Sequence, residues 1–345
     1  MTDLQAAKRV VLDYYADLDA LSGDQDIAAV LRKHTAEDYS WRGMHPWHEQ
    51  VGADAVAETF WVPVQEAFSP LQRRPDVFLA GESVVGDTAD VWVCQMGHLL
   101  GLFDHPWLGI PPTRKMVFVR YSEFHRVEGE QIAETALFVD VISVMRQAGH
   151  YPLPPQTGSS HIHPGPRTHD GLLYETQDAA EGEATIELVE RMVADLLEAN
   201  EIANEIGEDR MPSSVLANCW HDDMIWSGPE GIGATYTIDR YQQQHQYPFR
   251  TNLTGKRFNG HIARFGEGNY ACFFGWANLT NIATGGFMGL PGSGVDADMR
   301  VVDVYRRDGD KLAENWVFID LLHWLDLQGL DVLARLRQLT GQEEL

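Results

Sequence analysis

Across 345 residues, 26 Lys and Arg stand against 51 Asp and Glu, a formal net charge of −25 at pH 7. A field of that sign repels phosphate backbones and anionic lipid surfaces, which excludes nucleic acid and membrane as partners. The length suits two ordinary domains, each burying its own core.

In chain order, Val10, Val11, Tyr14, Leu18 and Leu21 recur at helical spacing, and Ser22-Gly23 ends that helix. Asp24 is the expected cap of a second helix through His34, followed by a short strand Tyr39–Arg42 and a helix Gly52–Phe68. Strands are predicted at Asp76–Ser83, Ala89–Leu100, Lys115–Val127 and Gln131–Met145, with turns at Gly86-Asp87 and Glu128-Gly129-Glu130. Tyr151–Asp170 is rich in Pro, Gly, Ser and His and cannot be helical or a central strand, so it reads as a linker that wraps along a domain. Its His161 and His163 are expected to be solvated. The order then repeats: a helix Thr185–Ile206, a strand Met224–Ser227, a helix Ile238–Gln246, strands Arg257–Arg264, Tyr270–Leu279, Asp298–Arg307 and Leu312–Leu325, and a closing helix Leu330–Leu339. Helices followed by strand meanders, with no βαβ alternation, predict an α+β fold.

Gly109–Gly149 and Gly289–Gly329 align without a gap at an offset of 180, with ten identities in 41 positions. A period this long means two copies of a domain rather than a solenoid. The expected division is domain one at 1–150, the linker at 151–170 and domain two at 171–345. Cys94, Cys219 and Cys272 offer no CxxC spacing and are expected to be free thiols. No run of 18 apolar residues occurs and the N-terminus lacks a signal-peptide core, so the cytoplasm is the expected location.

Both copies keep an acid at the end of an apolar run, FVDVI and FIDLL. On a strand, Asp140 shares a face with Glu134, Ala136 and Phe138, and Asp320 with Glu314, Trp316 and Phe318. A carboxylate among such neighbours is desolvated, which raises its pKa toward acid–base duty. The competing reading is an Asp bonded to a backbone amide or to Arg120, Arg126, Arg300 or Arg306. His98, on a face with Trp92, Cys94 and Met96, is a second candidate; its counterpart is Asn278, near Trp276, which cannot titrate. Trp41, His45, His48 and Trp226 lie in aromatic- and glycine-rich segments suited to a pocket mouth, and His245 in RYQQQHQYPF is placed to reach the second pocket. His45, His48 and Glu49 have no second cluster at metal-ligand spacing, so no metal is expected. Walker, GxGxxG, GxSxG and HExxH patterns are missing, which leaves acid–base chemistry without a cofactor.

The stretch WLGIPPTRKMVFVRYSEFHRVEGEQIAETALFVDVISVMRQAG resembles the C-terminal half of SnoaL-like polyketide cyclases, of the nuclear-transport-factor-2-like superfamily. The second copy matches less closely, losing the second Pro and the Thr of the loop and replacing Gln147 with Leu327. The resemblance implies tandem cones, each a curved antiparallel sheet wrapped by N-terminal helices around an apolar pocket. It also implies Asp140, and by the repeat Asp320, as the acid–base residue, with His98 assisting. The expected activity is cyclisation or isomerisation of a small apolar or carbonyl-bearing substrate, by a homodimer or an intramolecular pseudo-dimer. The alternatives are a non-catalytic small-molecule binding protein and an epoxide-hydrolase-like hydrolase.

Overall fold

The computed structural model describes residues 4–21, 26–86, 89–206 and 212–342. The predicted cap Asp24 and turn residue Asp87 lie outside the described residues. The helix Leu4–Asp19 buries Val11, Tyr14, Tyr15 and Leu18, the stripe its spacing dictates. Asp26 caps the helix Ile27–His34, accepting the Ala29 amide at 3.0 Å. Residues 53–67 are helical, with a π turn at Ala57–Trp61.

The first sheet comprises β1 (Thr35–Gly43), β2 (Glu49–Val51), β3 (Phe68–Glu82), β4 (Val91–Phe103), β5 (Met116–Glu128) and β6 (Gln131–Val139), in the order β2-β1-β6-β5-β4-β3. The second comprises β7 (Trp220–Ser227), β8 (Ala234–Tyr236), β9 (Leu253–Phe258), β10 (Ala263–Glu267), β11 (Tyr270–Ala283), β12 (Asp296–Asp308) and β13 (Lys311–Ile319). Its order is β10-β11-β12-β13-β7-β8, with β9 also on β11, so the two topologies correspond. The α+β class stands, but the sheets are mixed rather than antiparallel. β1 runs parallel to β6 and β7 parallel to β13. Helices and the other strands separate each of these pairs in the chain, so no hairpin forces them antiparallel.

Two other departures matter. The predicted strand Arg257–Arg264 straddles the break between β9 and β10. The predicted strands Gln131–Met145 and Leu312–Leu325 stop at Val139 and Ile319, and helices Val141–Gln147 and Leu321–Leu327 follow. Asp140 and Asp320 are their N-caps: Oδ1 of each accepts an amide, from Ser143 at 3.0 Å and from His323 at 3.2 Å. One continuous apolar run therefore hides a strand-to-helix boundary that the acid marks.

Each sheet has an inner face under its own helices and an outer face. The outer faces pack on each other: Phe124 meets Phe274 at 4.8 Å, Trp92 meets Phe274 at 5.3 Å and Phe138 meets Trp276 at 5.5 Å. Both capping aspartates also reach across. Asp140 Oδ2 accepts the Glu230 amide at 2.8 Å, and Asp320 Oδ2 accepts the His45 amide at 3.1 Å. Arg120 and Arg300 stand 3.8 and 3.4 Å from those same oxygens. The linker follows this seam. Ser159 bridges Ala234 of β8, Pro164 accepts the Trp316 indole N–H at 3.0 Å, and Phe78 of β3 donates its amide to Gly171 at 2.8 Å.

Asp320→Ala removes one acceptor from two amides and leaves the buried Arg300 with only the more distant Glu49, 3.8 Å away. It is expected to cost about 3–5 kcal/mol in urea denaturation. A loss below about 1 kcal/mol would mean the contact between units does not depend on this carboxylate.

Candidate functional site

The structure divides the sequence-derived candidates among three places. The first is the seam between the sheets, which holds Asp140, Asp320, His98, Trp92, Phe138, Trp276, Asn278 and Trp316. Burial pushes Asp140 up to about 6, against the pull of Arg120 and the Glu230 amide. Burial also raises Asp320, opposed by the His45 amide and Arg300. Both Asp140 oxygens are occupied, one by the cap and one by a cross-unit amide. His98 lies against Asp76, Nδ1 to Oδ2 3.2 Å, and Phe118. The linker His163 is buried rather than solvated, and burial with nearby Arg120 pushes it well below the usual range. Asn278 is fixed in the backbone of β12, accepting the Val301 amide at 2.7 Å and donating to its carbonyl at 3.1 Å. Trp276 donates to Glu49 at 2.5 Å under the Arg300 guanidinium. His45 and His48 lie edge to face at 5.3 Å beside this seam.

The second place is the inner face of the first unit, where Trp41 packs on Phe60. A buried network that the sequence reading missed lies there. Tyr15 donates to Glu123 Oε2 at 3.0 Å and its hydroxyl is 2.8 Å from His125 Nε2, whose Nδ1 is 2.8 Å from Thr135 Oγ1. The Arg73 guanidinium lies 4.0 Å over the Tyr15 ring, 3.7 Å from Glu123 and 3.2 Å from Asp19. Burial alone raises the Glu123 carboxyl, but His125, Arg73 and Tyr15 outweigh it and hold the group below the ordinary glutamate value. Tyr15, Tyr39, Trp61, Tyr121, Glu123 and His125 are each buried.

The third place is the inner face of the second unit, where Trp226 and His245 meet, stacked at 3.9 Å and 18°. The position equivalent to Glu123 is Asp303. Its Oδ1 accepts from Tyr305 at 3.0 Å and from Asn315 at 3.1 Å, and its Oδ2 takes no hydrogen bond from the described residues. Burial pushes Asp303 up to about 6, with Asn315 and Tyr305 opposing and no cationic side chain among the acting groups. Arg73 pairs with Leu99, and the residue that pairs with the equivalent Leu279 is Phe258, which explains the missing cation. Tyr241 is raised by burial and by the Asp303 charge, and its hydroxyl makes no hydrogen bond among the described residues. Burial drives His245 down to about 3, and burial with Arg264 drives His261 to about 4, so both rings are neutral at pH 7. Their Nδ1 atoms lack partners among the described residues. Tyr241, His245, Phe249, His261 and Asp303 are only partly buried, unlike their tightly packed equivalents in the first unit. The sequence carried a signal for Asp303: in VVDVY it is a lone acid in an apolar run, the criterion that selected Asp140.

Folding favours protonated Asp303, because about 6 lies above the ordinary value of 3.8. Its contribution to stability is therefore complete below about pH 4 and is lost as pH rises to about 6. Asp303→Asn is expected to stabilise the fold by about 1–3 kcal/mol at pH 8, at about 1.4 kcal/mol per unit and reduced by partial solvation. An Asn variant less stable than the parent at pH 8 contradicts this.

Residues 12–148 match the sequence profile of SnoaL-like polyketide cyclase. No curated protein matches the sequence. Among solved structures, a protein designated a SnoaL-like polyketide cyclase from Jannaschia sp. CCS1 is 22% identical, covering 42% of this chain and 93% of its own, with a TM-score of 0.32. An NTF2-like protein from Burkholderia xenovorans LB400 is 11% identical, covering 43% and 97%, with a TM-score of 0.33. Another from Anabaena variabilis ATCC 29413 is 19% identical, covering 40% and 93%, with a TM-score of 0.30. The match is confined to the first unit, which is similar to the SnoaL-like polyketide cyclase family over residues 12–148.

Proposed function

We propose that the chain is a cofactor-independent acid–base enzyme acting on a neutral, carbonyl-bearing small molecule, with its chemistry in the second unit. The observation that carries this reading is Asp303, held through one oxygen by two donors, free at the other, and raised to about 6. A carboxylate near neutrality balances the ionised fraction against proton affinity. Asp303 Oδ2 takes the proton from the carbon beside the carbonyl, and the Tyr241 hydroxyl donates to the enolate oxygen as charge develops there. The proton returns at another carbon in an isomerisation, or to oxygen after ring closure. Trp226, Phe249 and Phe273 supply apolar and aromatic surface, and the lack of a cation acting on Asp303 favours an uncharged substrate. The family match of the first unit supports the reaction class.

The same reading takes 1–150 and 171–345 as tandem SnoaL-like domains joined by 151–170. Their outer faces cover each other, so one chain acts as its own pseudo-dimer.

In deuterium oxide, the enzyme is expected to exchange α-protons of neutral cyclic ketones, followed by proton NMR. Asp303→Asn should slow exchange by about 10²–10⁴-fold, the usual worth of a general base. Tyr241→Phe should slow it with a smaller effect on ketone binding, whereas His98→Gln and Asp140→Asn, if folded, should leave it within about threefold. Dependence on Asp140 and not Asp303 would move the chemistry to the seam. Tight ketone binding without exchange would establish the binding-protein alternative.

A further inference from the structure

The helical segments that precede β3 and β9 correspond at an offset of 185: their π turns are Ala57–Trp61 and Gln242–Gln246, each followed by Pro63 or Pro248. At that offset Tyr241, His245 and Phe249 stand where the first unit has Val56, Phe60 and Val64. A spacing of four places each trio along one side of its helical segment. Val56, Phe60 and Val64 are buried, whereas Tyr241, His245 and Phe249 keep part of their surface open. Phe60 meets Trp41 tilted at 5.7 Å, and His245 stacks at 3.9 Å on Trp226, the equivalent of Trp41. A phenyl ring fills this place in the first unit, so packing alone does not call for an imidazole. The His245 and Tyr241 ring centres are 5.5 Å apart. His245 Nδ1 is buried without a partner, which leaves Nε2, with no hydrogen bond among the described residues, as the edge that can meet a ligand.

We propose that His245 is a further catalytic residue of the second unit, its Nε2–H donating beside the Tyr241 hydroxyl to the carbonyl oxygen of the substrate. This rests on the reading of Asp303 as the base. One carbonyl oxygen has lone pairs for two donors. Burial holds His245 down at about 3, so the ring is neutral throughout the range in which Asp303 titrates. An imidazolium here would favour the ionised acid, as Arg73 does for Glu123, and weaken the base. A neutral imidazole polarises a carbonyl without that effect. Nε2 keeps its proton, and the proton taken from carbon stays on Asp303 until it is returned.

The test uses the full chain carrying Asp303→Asn, with cyclohexanone labelled with carbon-13 at the carbonyl as probe, read by infrared difference spectroscopy. Adding His245→Phe, which installs the residue of the first unit, should move the bound carbonyl band to higher frequency. His245→Gln, which keeps an N–H donor, should move it less. With Asp303 intact, His245→Phe should lower kcat for α-proton exchange about 10²–10³-fold, the usual worth of one oxyanion donor. KM should change little, and the inflection of Asp303 near pH 6 should remain. No bound band, a band that His245→Phe leaves in place, or a raised KM with kcat unchanged would each overturn the proposal. Exchange that survives Asp303→Asn would instead remove Asp303 as the base, while a band that follows residue 245 would still assign the donor.

Discussion

The two capping aspartates hold this architecture together. Each ends the last strand of its sheet, starts the following helix with one oxygen and takes an amide from the opposite unit with the other. The contacts are reciprocal, as in a symmetric dimer interface where residue i meets j and j meets i. Because both oxygens are engaged in each case, these carboxylates fix where the helices begin and how the units sit. Burying them is tolerable only because amides and an arginine meet each one.

With the seam so fixed, the chain has two interiors built on one strand order, and they diverge through a single kind of residue. In the first, Arg73 lies over Tyr15 beside Glu123 and Asp19, and the His125 ring stands 3.6 Å from Glu123. Opposite charge close by favours ionisation, so Glu123 is held as an anion that is poor at taking a proton. In the second, Phe258 stands at Arg73's place in the sheet, Tyr305 replaces His125 and Asn315 replaces Thr135. Neutral donors orient Asp303 without neutralising it, and desolvation prevails. The unit that departs further from the family pattern thus holds the carboxylate better suited to proton transfer.

Much of the fold was legible in the sequence. The gapless repeat anticipated two matching strand orders, and the proline-rich segment did wrap along the seam. Periodicity could not reveal where an apolar strand becomes an apolar helix, so Asp140 and Asp320 were read as strand side chains. That error also pointed attention to the outer face, where Phe138, Trp92 and Trp276 pack between units. Trp226 and His245, read separately as a pocket-mouth residue and one placed to reach the second pocket, meet in a stacked pair. Asp303 was visible as a paired acid at Glu123's position, but its importance depends on a missing cation brought from a distant strand. Local spacing carries no record of such an absence.

The most direct test is a carbon-13 titration of the side-chain carboxyls of Asp303 and Glu123 in one sample. Asp303 should titrate near 6, and Glu123 below the ordinary glutamate value of 4.5. An Asp303 that titrates at or below about 4, as an unperturbed aspartate does, or a Glu123 that titrates above Asp303, would contradict the division of roles between the two units.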